Sequence, residues 1–272
     1  MGAVGPVTGG DRWEPDGIIV DMDGVLYLGE AALPGLAEFI AATSTWPRVL
    51  LTNNSVVSPA ACAARLRRLG AEVPEREILT VSAAMASYLA AAYPPGTPVY
   101  VIGERPLHDA VRDAGLADGD GKDCAAVVLG LDRDLRYAQL AAALALLRAG
   151  CPLIVASLDT VLLTAGGALP ATGAIAAALR ACAGTEPVCV GKPDPRFFGV
   201  AIEQLGVPAA RILTVGDSLT ADIAGGHAAG TRTALMLSGV TAAAPLSPDG
   251  PRPDYVFGSL PELTRFLRRN AA

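Results

Sequence analysis

From about residue 16 onward, short uninterrupted runs of aliphatic residues alternate with longer Ala-rich segments whose apolar positions recur every three or four residues. An apolar run bounded by turn formers reads as a strand buried on both faces, and the periodic segments read as the helices that cover it. Strands are predicted over 18–21, 48–52, 99–102, 125–129, 153–156, 187–190, 212–215, 233–237 and 255–257. Helices are predicted over 60–69, 137–149, 195–205 and from about 261 onward. The first helix is the best marked: Ser58 can cap it, Pro59 suits its opening position and Gly70 ends it. Alternation of this kind specifies an α/β protein built on a parallel sheet. Residues 1–15, aperiodic and containing several Gly and Pro, read as a loose tail.

The reactive side chains gather where predicted strands end. Asp21-Met22-Asp23-Gly24 closes the first strand, with Gly24 allowing a sharp turn behind the two carboxylates. Thr52-Asn53-Asn54, Gly191-Lys192 and Gly216-Asp217 close three others. Each alone reads equally well as a polar turn. In open parallel sheets, however, ligands bind beyond the carboxyl ends of the strands, so four such ends can converge on one crevice.

Composition narrows the range of partners. Lys and Arg total 21 against 27 Asp and Glu, a net charge of −6 with no basic cluster, which argues against a nucleic-acid partner. The only lysines are Lys122, in a polar loop, and Lys192, directly after an apolar run. In a chain that otherwise uses Arg, a Lys at a strand end is a candidate point charge. The five cysteines form no CxxC pair, so neither a disulfide framework nor a zinc site is expected, and buried free thiols in a reducing cytoplasm are. There is no signal-peptide pattern, and Arg148, Gly150 and Pro152 break the one membrane-like stretch, 140–158, into a helix and a strand. The reading is therefore a cytoplasmic protein with no membrane partner. Patterns for Ser hydrolases, zinc proteases, P-loop NTPases and dinucleotide binders are absent.

A phosphate monoester suits the strand ends. Its dianion repels a carboxylate nucleophile unless a cation intervenes, and Mg²⁺, which prefers hard oxygen ligands and bridges carboxylate to phosphate, fits that need. Asp21 and Asp217 supply carboxylates and Asp23 a backbone carbonyl, with Asp222 placed to orient metal-bound water. Lys192 can hold nucleophile and phosphoryl group together, while Thr52, Asn53 and Asn54 offer polar groups to phosphate oxygens. Attack by an Asp carboxylate gives an aspartyl-phosphate, and a second carboxylate, Asp23, can move the proton.

The segments DMDGVLYLG (21–29), LLTNNS (50–55), GKPDP (191–195) and GDSLTADI (216–223) together resemble the haloacid dehalogenase superfamily of phosphatases. They are most similar to the branch with NagD-type nucleotide phosphatases, 4-nitrophenylphosphatases and phosphoglycolate or pyridoxal-phosphate phosphatases, and weaker similarity spans about 16–268. The resemblance implies a Rossmann-like, doubly wound core. It also implies Asp21 as nucleophile, Asp23 as general acid/base, Thr52 and Asn53 as phosphate binders, Lys192 as stabiliser and Asp217 as metal ligand. It further suggests a homodimer, formed through an inserted domain.

Spacing locates that domain. Only 29 positions separate Asp23 from Thr52, but 140 separate Thr52 from Lys192, far more than one crossover needs. The expected organisation is a discontinuous core, 16–80 plus 183–272, with an α/β cap over 81–182. Specificity is expected from the cap, where the chain departs from its relatives. Ala156-Ser157-Leu158-Asp159 stands where they tend to read Thr-Asn-Pro-Asp, an apolar Val161-Leu162 follows, and Pro170-Ala171-Thr172-Gly173 is one glycine short. Asp159 and Leu162 are taken as cap-side substrate contacts, Val161 and Leu162 facing the leaving group; the alternative is that both simply fill the cap core. Two other functions compete with the phosphatase: a metal-independent dehalogenase-like hydrolase, and a phosphoacceptor or ligand sensor without turnover.

Overall fold

The run Gly17–Asp21 is buried at every position, as a strand covered on both faces must be. In the computed structural model, which describes residues 13–164, 167–239 and 250–270, it lies inside a six-stranded sheet. The order is Tyr255–Phe257, Arg232–Met236, Ile212–Gly216, Gly17–Asp21, Arg48–Thr52, Ile78–Thr80. Both pairings of the Gly17–Asp21 strand are parallel, with Val20 opposite Val215 and Asp21 opposite Leu51. Chain order runs outward in both directions from this strand, so the switch point of the Rossmann-like sheet falls at its carboxyl end.

Local sequence sets the covering helices. Before Pro195–Leu205, the Asp194 carboxylate accepts from the Arg196 amide at 2.8 Å, and Pro195 takes the first turn. Gly206 ends the helix with a left-handed φ of 64°. The helix buries Phe197, Phe198 and Ala201. Trp13 stacks on Tyr255 at 6.2 Å and carries the Arg232 guanidinium 4.6 Å over its ring. The expected loose tail therefore needs correction: residues 1–12 lie outside the described residues, but the chain is anchored from Trp13 onward.

The chain divides into two units: Met1–Thr52, Pro59–Leu79 and Lys192–Ala272 form one, and Asn53–Ser58 with Thr80–Gly191 form the other. The second carries a five-stranded sheet ordered Val188–Cys189, Leu153–Val155, Val127–Leu129, Pro98–Ile102, Ala117–Asp118. Helices Tyr137–Arg148 and Thr172–Ala183 bury Ala143, Leu147, Ala176 and Leu179 against it. An antiparallel hairpin, Val161–Thr164 with Gly167–Pro170, completes it.

The strand expected at 187–190 shrinks to Val188–Cys189 and pairs with Leu153–Val155, so the second unit runs to Gly191 rather than to 182. Three of the four polar strand ends thus belong to the core sheet, and Lys192 arrives from a strand of the other sheet. The strand Ile78–Thr80 was not predicted because it has three residues and leads directly into helix Val81–Ala92, which blurs its apolar pattern. The segment 140–158 does divide into helix and strand, and among the described residues no helix is long and apolar enough to cross a membrane. The cysteines are free thiols, but only Cys62 and Cys124 are buried; Cys182 is exposed.

Candidate active site

Three adjacent parallel strands finish at one edge, and their register brings Asp21, Thr52 and the Gly216-Asp217 pair to a common level. All three polar side chains are buried. Beyond Asp217 the backbone makes a single π-helical turn, Leu219–Ile223, a conformation that concentrates at functional sites. Ser218 starts the turn by accepting from the Ala221 amide at 3.1 Å, and its own amide donates to Asp222 at 3.0 Å. This aims Asp222 back at the strand ends. Lys192, 4% exposed, donates to Asp21 at 2.5 Å and to Asp222 at 2.7 Å.

Asp21, Asp217 and Asp222 each offer an oxygen, and these atoms lie within 4.8 Å of one another. Burial pushes the Asp21 carboxyl well above its ordinary range; Lys192 opposes the rise, while Asp222 and Asp217 add to it. Burial acts to lower the Lys192 ammonium, but the Asp21 and Asp222 carboxylates outweigh it and hold the group above its ordinary value. Three clustered buried carboxylates, of which Asp21 and Asp222 share one ammonium, carry an excess of negative charge that a divalent cation would balance. The backbone leaves room for these groups. Gly24 has a φ of 83°, and a methyl group on it or on Gly239 would overlap the Asp217 carboxylate; one on Gly216 would overlap Asp222. The all-oxygen donor set and its glycine cradle fit a hard cation such as Mg²⁺.

The Asp23 carboxylate stands outside this cluster, so a contribution from Asp23 to the metal reduces to the expected backbone carbonyl. Burial raises its pKa, against the pull of Arg65, Lys192 and a hydrogen bond from Tyr27. A carboxyl group biased toward its protonated form is suited to donating a proton. Asp222, expected at the metal site through a metal-bound water, joins the carboxylate cluster itself.

The remaining predicted contacts fall in the second unit. Asn53 donates to Asp159 at 3.2 Å and to Ser157 at 3.4 Å, and the Ser157 hydroxyl donates to Asp159 at 2.7 Å. Asn54 uses its side-chain oxygen to accept from the Val56 amide at 3.1 Å, closing a local turn. Gly173, the glycine retained in its motif, donates to the Asp159 carbonyl at 2.8 Å, and a side chain there would overlap Leu158 and Asp159. Val161 is 53% exposed and is not cap core, whereas Leu162 is half-buried. Ser157 and Gly239 were missed as contributors. Nothing local distinguishes them from ordinary turn residues, and only the strand pairing brings Gly239 beside Asp217. The two histidines serve elsewhere: His108 bonds Asp118 and the Gly103 carbonyl, and His227 bonds Thr233 and Asp254.

A buried carboxylate–lysine cluster at the switch point of a parallel sheet defines a hydrolase-type α/β site built around an acidic centre. Residues 18–117 match a family model of haloacid dehalogenase-like hydrolases, and residues 189–263 match a second, HAD-hydrolase-like model. The chain is 30% identical over 257 residues to an acid sugar phosphatase of Staphylococcus haemolyticus, covering 94% of this chain and 97% of the relative. It is 32% identical over 253 residues to the 5′-nucleotidase YutF of Bacillus subtilis, covering 92% and 98%. Among solved structures, a glycerol phosphate phosphatase of Mycobacterium tuberculosis in complex with magnesium superposes with a TM-score of 0.86 at 31% identity, covering 93% of this chain and 77% of that one. NagD from E. coli gives 0.82 at 30%, covering 92% and 98%. The chain belongs to the haloacid dehalogenase-like hydrolases, and within them it is similar to NagD- and YutF-type phosphatases.

Proposed function

We infer that the protein is a Mg²⁺-dependent phosphatase that hydrolyses a small phosphate monoester through an aspartyl-phosphate on Asp21. The observation that carries this reading is the buried cluster of Asp21, Asp217 and Asp222, two of which, Asp21 and Asp222, pair with Lys192. A bound Mg²⁺, held by Asp21, Asp217 and Asp222 with the Asp23 carbonyl, supplies the positive charge that lets carboxylate and phosphate dianion approach. Lys192 opposes the rise in the Asp21 pKa and holds its attacking oxygen in place. That oxygen bonds to phosphorus as the ester P–O bond breaks, and Asp23 gives its proton to the leaving oxygen. Asp23 then accepts a proton from the water that attacks the acyl phosphate, which releases inorganic phosphate and restores Asp21. Thr52, Asn53 and Asn54 bind phosphate oxygens through hydroxyl and amide groups. The dehalogenase-like reading lacks a use for this metal-suited cluster; the phosphoacceptor reading shares it and differs in predicting a stable acyl phosphate with no repeated release of phosphate.

The relatives are named acid sugar phosphatase, 5′-nucleotidase and glycerol phosphate phosphatase, and the substrate here is a small phosphorylated metabolite within that breadth. Asp159 and Leu162, with the exposed Val161, are the proposed contacts to its leaving group. The test is phosphate release across nucleotides, sugar phosphates, glycerol phosphate, phosphoglycolate and pyridoxal phosphate, with Mg²⁺ and with EDTA. Activity that survives EDTA would sink the metal-dependent reading. On the same panel, Leu162→Ala is expected to change the ranking of substrates; an unchanged ranking would remove Leu162 from the contacts.

Asp23→Asn should lower kcat/KM for alkyl phosphates by about 10²–10⁴-fold, the usual contribution of a positioned acid. The loss for 4-nitrophenyl phosphate should be much smaller, because its leaving group departs without protonation. Equal losses on both substrates would contradict the acid role.

Charge also makes the metal effect depend on pH. Because the folded-state pKa of Asp21 lies above its unfolded value, its contribution favours the metal-free fold at low pH and is lost as pH rises through the raised pKa. Mg²⁺ binds the ionised carboxylates, so it should raise Tm more at about pH 7.5 than at about pH 5. Equal shifts in thermal melts at the two pH values would refute this.

A further inference from the structure

Ser157 has no place in the reaction described above, yet it is buried, and its hydroxyl ties Asn53 to Asp159. Its oxygen accepts from the Asp159 amide at 3.0 Å, closing a local turn, and its hydroxyl donates to Asp159 Oδ2 at 2.7 Å. The Asn53 Nδ2 donates to that same Oδ2 at 3.2 Å and, more weakly, to the Ser157 Oγ at 3.4 Å. Because the two acceptors are only 2.7 Å apart, they subtend much less than the spread of the two amide hydrogens, so one N–H is shared between them. The second N–H of the same nitrogen is turned away from the pair. A carboxylate only accepts, so Asp159 also decides the flip: an Asn53 amide turned over would set its carbonyl oxygen against the carboxylate. On the other side Gly191 leaves room for Asn53 Oδ1, which a methyl group there would overlap. The backbone of the segment is tied separately: the Ser55 Oγ accepts from the Leu131 amide at 3.0 Å, and Ser82 donates to the Ser55 carbonyl at 3.2 Å. All of these residues belong to the second unit.

We propose that Ser157 is a positioning residue that holds the Asn53 amide with one N–H directed to a phosphate oxygen. It acts through Asp159: the Ser157 hydroxyl fixes the carboxylate oxygen that sets the flip and angle of the amide. The inference rests on Asn53 being a phosphate binder. An Asn side chain turns over at little cost unless its neighbours tell oxygen from nitrogen, and only the nitrogen can donate to a phosphate. This role engages one Asp159 oxygen and is compatible with a leaving-group contact through the other. The effect of Ser157 therefore falls on the phosphate half of the substrate, which every phosphate monoester shares, and not on the half that distinguishes one from another.

Inorganic phosphate, as a competitive inhibitor in the presence of Mg²⁺, reports the phosphate half alone. Ser157→Ala should raise its Ki about three- to tenfold, the weight of one neutral hydrogen bond. The same variant should lower kcat/KM by a similar factor for phosphoglycolate, glycerol phosphate and 4-nitrophenyl phosphate alike. Asn53→Ala, which removes a donor to a charged group, should raise the Ki about tenfold or more. If Ser157 acts through Asn53, the double variant Asn53→Ala/Ser157→Ala is no worse than Asn53→Ala alone. Losses that multiply would show that Ser157 merely supports the local fold, and the proposal would be wrong. A changed substrate ranking in Ser157→Ala would place Ser157 at the leaving group and overturn it as well. If Asn53→Ala raises the Ki and Ser157→Ala does not, the positioning role fails while the phosphate contact stands. If Asn53→Ala leaves the Ki unchanged, Asn53 is no phosphate binder and the positioning proposal fails with it. Should Asn53→Ala not fold, the Ki and the three substrates measured on Ser157→Ala decide.

Discussion

Asp21→Asn is expected to lower kcat for phosphate release by about 10⁴-fold or more, since an amide cannot form the acyl phosphate. The change is isosteric, and the side chain sits at the end of a strand buried along its full length, so the fold should be retained. The energetics carry a further expectation. Asp21 is desolvated and faces Asp222 and Asp217, so replacing it relieves repulsion that one ammonium does not fully offset. The metal-free variant should therefore melt no lower than the parent, while its stabilisation by Mg²⁺ should shrink. Thermal melts in EDTA and in Mg²⁺, beside steady-state turnover, would check both parts. A variant that turns over at a rate near the parent's would remove Asp21 as nucleophile.

The second large effect is expected at Lys192. Its ammonium is 4% exposed and is shared by two buried carboxylates at 2.5 and 2.7 Å. Lys192→Met keeps the volume of the stem and deletes the charge, leaving Asp21 and Asp222 without it. Breaking a buried pair in this way costs about 3–5 kcal/mol, and loss of a charge at a phosphoryl site costs about 10²–10³ in kcat. Mg²⁺ should recover part of the stability, because it neutralises the same carboxylates. Lys192→Arg should not restore turnover: the guanidinium is planar and wider than the point charge that the two carboxylates enclose. Urea unfolding with and without Mg²⁺, together with kcat for both variants, tests this. A Lys192→Met protein as stable as the parent and within tenfold of its activity would contradict it.

Much of the core was legible because its signals are local and redundant. The run Gly17–Asp21 is apolar without interruption, and its chemistry follows immediately in Asp21-x-Asp23, so one short window specifies both a buried strand and a site. Lys192 stood out by residue type alone in a chain that writes its other buried and surface cations almost entirely as Arg. What escaped was information that exists only across strands or between sheets. Lys192 was read as the end of a core strand, but Val188–Cys189 pairs with Leu153–Val155, a partner no local pattern announces. Gly239 beside Asp217 follows from Arg232–Met236 neighbouring Ile212–Gly216 in the sheet, not from any motif. Arg65 carries no local signal, and its contact with the Tyr27 ring becomes visible only once the 23–30 loop has a shape. In the second unit, the apolar pair Val161-Leu162 left core and contact equally open, and the exposure of Val161 removed it from the core.

The central claim is that the phosphoryl group passes through Asp21. Rapid quench of the enzyme with ³²P-labelled 4-nitrophenyl phosphate and Mg²⁺, followed by peptide mapping, tests it most directly. The account predicts a base-labile label on the peptide containing Asp21, formed at least as fast as phosphate is released and absent from Asp21→Asn. Phosphate release at the full rate with no label on Asp21, or with the label on another residue, would contradict it.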